Sequence, residues 1–223
     1  MQRKIKSYVL RAGRVSNRQQ LALDSWAQSY ELPPQPGVWN FNELFGREAN
    51  TIVEIGFGMG SSLFAMAKAQ PQTNFIGIEV HRAGVGSLVA DLYEHGINNV
   101  RIASFDAVEV INNNLPDHAL HGVQIFFPDP WPKKRHHKRR LIQPDFIALL
   151  ITKLKSGGFI HCATDWQDYA EQMLAVLSTE PQLSNAQLEG GYSLRPESRP
   201  LTKFERRGQR LGHGVWDLIF LKK

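Results

Sequence analysis

The sequence predicts an α/β protein built on a mainly parallel, doubly wound sheet closed by an antiparallel hairpin. Three observations carry that prediction. Apolar runs of strand length alternate with amphipathic stretches of helix length from Thr51 to about Leu177, the pattern of consecutive strand–helix–strand units. A glycine turn, Gly56-Phe57-Gly58-Met59-Gly60, directly follows the first of those runs, where such sheets receive ligands. After Gln187 the alternation gives way to two strand-like stretches joined by an irregular, arginine-rich connection.

Taken in order, the chain opens with a basic stretch, Met1 to Arg14, that has few apolar residues and is expected to be mobile. Ser16 followed three residues on by Gln19 forms a capping box. Ala22, Trp26 and Tyr30 then recur at four-residue spacing, so a short amphipathic helix follows, ended by Pro33-Pro34-Gln35-Pro36-Gly37. The first strand is Thr51 to Ile55, with a helix from Ser61 to Gln70 after the glycine turn. Asn74 to Ile78 is the second strand and Gly84 to His95 its helix. Val100 to Ser104 is the third, with a short helix after Asp106. The fourth is the run Val123-Gln124-Ile125-Phe126-Phe127, and Gln143 to Lys155 is helical. Lys155-Ser156-Gly157-Gly158 turns into a fifth strand, Phe159 to Ala163, before a helix from Trp166 to Leu177. Gln187 to Tyr192 and Val215 to Leu221 are the closing pair. The division expected is therefore a basic arm with a short helix over 1–50 and an α/β domain over 51–223.

Composition narrows the class. At 223 residues the chain can bury roughly 70–75% of its unfolded surface. A hydrophobic share of 42% with 21% charged residues describes a globular protein. No apolar run approaches the ~20 residues of a membrane span, so no membrane partner is expected. Cys162 is the single cysteine, which excludes an intrachain disulfide and points to a reducing compartment, the cytoplasm. Its apolar strand reads as packing.

The net charge of +5 is unevenly divided. Residues 1–20 carry six cations and no acid, and Lys133 to Arg140 carry six more; against those twelve, the rest of the chain holds −7. Basic excess gathered into two patches is the footprint of a polyanion, nucleic acid first. The acid-free amino terminus could also serve as an organelle transit peptide, but it lacks serine richness. The second patch adjoins Pro128-Asp129-Pro130-Trp131-Pro132, whose prolines stop the fourth strand. A carboxylate and an indole are thereby presented on a stiff loop at a strand's carboxyl end. Trp131 has two readings, stacking on a base or wedging the loop. His136 and His137 stand among six cations, a poor setting for a metal ion, and no metal is expected.

The glycine turn has the spacing G-x-G-x-G led by Glu54. A dinucleotide fingerprint needs G-x-G-x-x-G, and its third glycine would fall at Ser61. Gly56, Gly58 and Gly60, with Glu79 at the end of the second strand and Asp106 after the third, instead match the first motif and the two nucleoside-facing acids of Rossmann-like methyltransferases. S-adenosyl-L-methionine is the cofactor this implies.

With these residues together, the chain resembles the bacterial tRNA (guanine-N7)-methyltransferases. The matching stretches are EIGFGMG at 54–60, GIEVHRAGVG at 77–86, FDAVEV at 105–110, FFPDPWPKKRHHKRR at 126–140, ATDW at 163–166, RPLTKFERRG at 199–208 and GHGVWDL at 212–218. The resemblance covers nearly everything from Gly46 on. It implies that Glu54, Glu79, Asp106 and Asp129 serve the cofactor and active-site region, with Asp129 the catalytic candidate. It implies a substrate role for Lys133, Asp165 and the run Thr202, Lys203, Phe204 and Glu205, and contacts to tRNA for Arg135, His136, His137, Lys138, Arg139 and Arg140. The implied target is guanosine 46 in the variable loop of tRNA. Nothing in the sequence marks an obligatory protein partner.

Three rival functions remain on the residues alone. Methyltransferases of exocyclic base amines carry Asn/Asp-Pro-Pro-aromatic at this strand end, but Trp131 stands where the second proline belongs. An RNA-binding protein on an inactive methyltransferase fold would not be expected to keep acids at 54, 79, 106 and 129. A dinucleotide oxidoreductase is disfavoured by the glycine spacing.

Overall fold

The computed structural model describes residues 7–8, 13–33, 37–201, 205 and 214–223. Among these described residues, seven strands form one sheet in the order β3-β2-β1-β4-β5-β7-β6. The strands are β1 (Thr51–Ile55), β2 (Asn74–Ile78), β3 (Val100–Ala103), β4 (Leu120–Phe126), β5 (Leu154–Thr164), β6 (Leu183–Asn185) and β7 (Trp216–Lys222). β1 to β5 pair in parallel, and β7 enters antiparallel to both β5 and β6. The strand order reverses at β1, which has β2 on one side and β4 on the other, so a crevice opens beyond their carboxyl ends.

β1 and β2 are buried along their whole length, as central strands covered on both faces are. Helices α5 (Ala107–Asn113), α6 (Pro144–Lys153) and α7 (Gln167–Thr179) cover one face, with Val110, Ile147, Leu150 and Met173 in its core. Helices α1 (Asn17–Ser25), α3 (Ser61–Ala69) and α4 (Arg82–Glu94) cover the other, with Ala22, Leu63, Leu88 and Val89 inside.

α1 begins at the expected capping box: Ser16 Oγ accepts from the Gln19 N–H while Gln19 Oε1 accepts from the Ser16 N–H. The helix ends at Ser25, earlier than the four-residue spacing suggests, and a 3₁₀ turn, Ala27–Ser29, carries the chain on to buried Tyr30. α1 is fastened to α4 by Arg18, which donates to Asp91 and Glu94 (2.6 and 2.7 Å), and by Trp26 stacked 4.1 Å from Tyr93.

Strand β4 starts at Leu120 rather than Val123, and β5 starts at Leu154, taking in the expected turn Lys155-Ser156-Gly157-Gly158; two further elements differ from the sequence expectation. The short helix α2 (Phe41–Phe45), capped by Asn40, has too few residues to show a period. The first strand of the closing pair lies at Leu183–Asn185, not at Gln187 to Tyr192. Asn185 turns the chain there: its Oδ1 accepts from the Gln187 N–H and its Nδ2 donates to the Gly191 carbonyl. Gly190 and Gly191 then take positive φ, which a strand does not accommodate. No helix among the described residues is long and apolar enough to cross a membrane.

Candidate active site

Strands β1 to β4 end on one cleft, lined by Gly56, Glu79, Phe105 and Asp129 and by Ser7 and Tyr8 from the amino-terminal stretch. It encloses about 200 Å³, below the ~300 Å³ at which ordinary ligand clefts begin, with Ser7 and Tyr8 forming part of its wall.

The glycine turn is built by backbone conformation. Gly56, Gly58 and Gly60 have φ of 73°, 58° and 82°, a region other residues enter at a cost. A Cβ at Gly56 or Gly58 would meet no atom within 4 Å, so these two face open space and only conformation excludes a side chain. Gly84, in the first turn of α4, is different: a Cβ there would lie 2.0 Å from the Gly58 carbonyl oxygen. Helix α4 thus holds the turn from behind by close backbone approach.

Glu79 locks the turn from the front. Its Oε2 accepts from the Gly58 N–H (2.9 Å), and its Oε1 accepts from the N–H groups of Val80 (2.7 Å) and His81 (3.0 Å). A carboxylate offers about four acceptor positions, so one remains for a ligand hydroxyl. Asp106 caps α5 by accepting from the Val108 N–H (2.9 Å), and lies in an adjoining cleft with Lys138 and Arg139.

Glu54 lies within β1 and is 2% exposed, and its Oε2 has no protein partner. Burial, reinforced by nearby Glu79, pushes its carboxyl up to about 8. Its neighbour across β4 is Gln124, whose buried Oε1 is also without a partner. Buried polar atoms of this kind are rare and need a reason.

The β4 end carries the loop the sequence marked out. Phe127 and Trp131 have positive φ of 51° and 45°, costly for aromatic residues and frequent at functional sites. Asp129 is exposed between them. Trp131 is braced rather than free: its Nε1 donates to the Ser7 carbonyl (3.0 Å), and the Arg139 guanidinium lies 3.9 Å over its ring. Arg139 also donates to the Tyr8 carbonyl.

The basic run forms a 3₁₀ helix, Lys134–Arg139. Lys133, Lys134, Arg135 and Lys138 are exposed on it. Desolvation, followed by the surrounding cations, Arg135 and Arg139 foremost, holds the His136 imidazole below its ordinary range. His137 faces Asp168 at 3.6 Å.

Two residues assigned to tRNA or substrate are turned inward instead. Arg140 is 2% exposed, with Nε donating to the Pro130 carbonyl, Nη1 to Gln172 and Nη2 to Asp168. It ties the Asp129 loop to α7 and offers no face to a phosphate. Glu205 is also 2% exposed, and both its oxygens accept from Arg199. Asp165, after β5, is exposed. Thr202, Lys203 and Phe204 lie outside the described residues. Among the described residues no cluster of three potential metal ligands occurs.

Sequence reasoning missed Ser7 and Tyr8 in the cleft wall and the buried group His161, Arg199 and Asp217. The signal for the latter was present: His161 and Asp217 are polar residues inside apolar strands, which burial tolerates only with partners. Cys162 is fully buried and its thiol is pushed up to about 12 by burial, consistent with packing.

Residues 48–218 match the family model described as "Putative methyltransferase". The chain is 69% identical to a tRNA (guanine-N(7)-)-methyltransferase of Legionella pneumophila (strain Paris), over 100% of this chain and 94% of that one. It is 56% identical to the Shewanella amazonensis enzyme of the same name, over 98% and 92%. The chain belongs to the tRNA (guanine-N7)-methyltransferase family. The solved 16S rRNA methyltransferase KamB superposes with a TM-score of 0.59 at 14% identity, over 82% of this chain and 93% of that one, which shows the shared methyltransferase fold.

The cofactor of this family and fold is S-adenosyl-L-methionine, and the residues suit it. Gly56 and Gly58 leave room for close ligand approach, Glu79 keeps an acceptor for a ribose hydroxyl, and the buried Glu54 carboxyl, two residues before Gly56, has an oxygen without a protein donor. A pyrophosphate would meet the Glu79 carboxyl here.

Proposed function

We propose that this protein transfers a methyl group from S-adenosyl-L-methionine to N7 of guanosine 46 in the variable loop of tRNA. The observation that carries it is the convergence of the glycine turn, Glu79 and the exposed Asp129 on one cleft bordered by a cationic helix. When bound, the cofactor supplies an electrophilic sulfonium methyl.

Guanine N7 bears a lone pair and no proton, so no general base is needed to create the nucleophile. The protein has to place N7 in line with the methyl and tolerate a ring that becomes cationic. Asp129, exposed at the cleft, accepts from the guanine N–H edge, orients the base and stabilises the growing positive charge. N7 lies on an edge used in folded RNA, so the base leaves its stack first, at a cost of a few kcal/mol. Phosphate contacts from Lys133, Arg135 and Lys138 offset that cost. Glu54, Gly56, Gly58, Gly60, Glu79 and Asp106 form the cofactor side, with Asp165 and the Thr202 to Glu205 segment on the substrate side. In this reading the protein works in the cytoplasm, where unmodified tRNA is found.

The test is nucleoside mass spectrometry of unmodified tRNA after incubation with the protein and S-adenosyl-L-methionine. N7-methylguanosine is expected, and replacing guanosine 46 with adenosine should abolish it. Methylation of an exocyclic amine, or an unchanged nucleoside profile, would refute the assignment.

A further inference from the structure

Arg199 is the largest side chain among those fully buried in the described molecule, at 1% exposed. A buried guanidinium persists only when its donors are matched. Nε and Nη2 donate to the two oxygens of Asp217 (2.7 and 2.8 Å), and Nη1 and Nη2 donate to those of Glu205 (2.8 and 2.6 Å). That engages four of its five N–H donors. His161 Nε2 completes the group at 2.7 Å from Asp217 Oδ1. Burial disfavours the Asp217 charge, but hydrogen bonds with His161 and Arg199 prevail and hold the carboxyl below its ordinary range.

The group joins three parts of the chain. Asp217 is on β7, and Glu205 lies in the connection that precedes it. The guanidinium also sits 5.8 and 5.6 Å from the rings of Phe126 and Phe127, the β4 end from which the Asp129 loop departs. Apolar residues of similar volume commonly stabilise a core as well as a buried ion group does. What a doubly bidentate arginine adds is direction, because its planar fork accepts each carboxylate in one orientation only.

We propose that Arg199 is a positioning residue for methyl transfer, clamping Asp217 of β7 and Glu205 behind Phe126 and Phe127 so that the Asp129 loop leaves the β4 end in one orientation. The proposal rests on the reading of Asp129 as the residue that orients the base. It gives Glu205, read from the sequence as a substrate residue, an inward role as one arm of the clamp.

The experiment compares wild type, Arg199→Lys, Glu205→Gln and their double variant in single-turnover methyl transfer with saturating tRNA and cofactor. S-adenosylhomocysteine binding is measured by calorimetry on each. Lysine keeps the charge but loses the fork, so the chemical step should slow by about 10- to 100-fold, the scale of a misplaced reacting group, with cofactor affinity unchanged. The double variant should be no slower than the worse single one, because both changes open the same clamp. A merely structural role would lower cofactor affinity along with the rate, or give multiplied losses, and either result overturns the proposal. So does a wild-type rate in Arg199→Lys. Should that variant fail to fold, Asp217→Asn, which removes only one arm of the clamp, decides: a slowed chemical step with intact cofactor binding supports positioning, and anything else refutes it. A wild-type protein that transfers no methyl group refutes the functional reading itself, and the proposal with it.

Discussion

Asp129 lines the cleft and is exposed, whereas Glu54 is buried in the strand that leads to it. Asp129 is set for a charge that develops late. Asp129→Asn is nearly isosteric and uncharged, so it should slow the single-turnover step by about 100- to 1,000-fold, as the loss of one well-placed electrostatic contact does, with tRNA and cofactor binding little affected. Near wild-type transfer would make Asp129 a loop-shaping residue and move the test to Asp165. Glu54 behaves oppositely. Its folded pKa, about 8, lies above the ordinary 4.5. Below 4.5 both folded and unfolded chains are protonated and its contribution to stability is fully present. Between 4.5 and 8 the unfolded chain ionises while the folded one resists, so that contribution is lost as pH rises. The cofactor-free protein should therefore melt lower at pH 8 than at pH 5, and Glu54→Gln should flatten the curve, by at most ~1.4 kcal/mol per pH unit. Parallel curves for the two proteins would show that Glu54 is ionised in the fold.

The 3₁₀ helix Lys134–Arg139 illustrates how one element serves two purposes. Arg139 and the following Arg140 turn toward the protein, one stacked on Trp131 and one tied to Asp168, while Lys134, Arg135 and Lys138 are left exposed. If each of these three meets one phosphate, replacing them with glutamine should lower the log–log salt slope of tRNA binding by roughly 2–3 units, at ~0.7–0.9 per contact. Filter binding across a salt series measures this; an unaltered slope would make the run a solvated face. The run was legible as a polyanion surface because charge density is a property of sequence. Which arginines it could spare was not, because Arg140 is buried by partners on α7 far along the chain. The same distinction holds for the strands. β1 and β2 were legible to the residue, since burial on both faces leaves short, largely apolar runs bounded by turn residues. β6 was not: three residues carry too little pattern, and the alternation of Leu188 and Tyr192 imitates a strand that Gly190 and Gly191 forbid.

Across the whole molecule the two chemistries are separated by the sheet's own topology. The carboxyl ends of β1 and β2 present glycine backbone and acids, and the end of β4 presents a carboxylate followed by cations, so cofactor and polyanion approach adjoining parts of one edge. That arrangement makes the response to ligands a property of the entire fold. Anything that binds the folded chain alone stabilises it by mass action, ~2.7 kcal/mol at a hundredfold excess over the dissociation constant. For a chain of this length each kcal/mol raises the melting temperature by roughly 2–4 °C, so S-adenosylhomocysteine should raise it by about 5–10 °C. NAD should not, because its pyrophosphate would meet the Glu79 carboxyl and the turn lacks the third glycine of a dinucleotide fingerprint, whose place Ser61 takes. The shift should shrink in Glu79→Ala, which loses the three backbone hydrogen bonds that hold Gly58, Val80 and His81 in place. A thermal shift with NAD and none with S-adenosylhomocysteine would mean that the glycine turn binds a different ligand from the one its geometry fits.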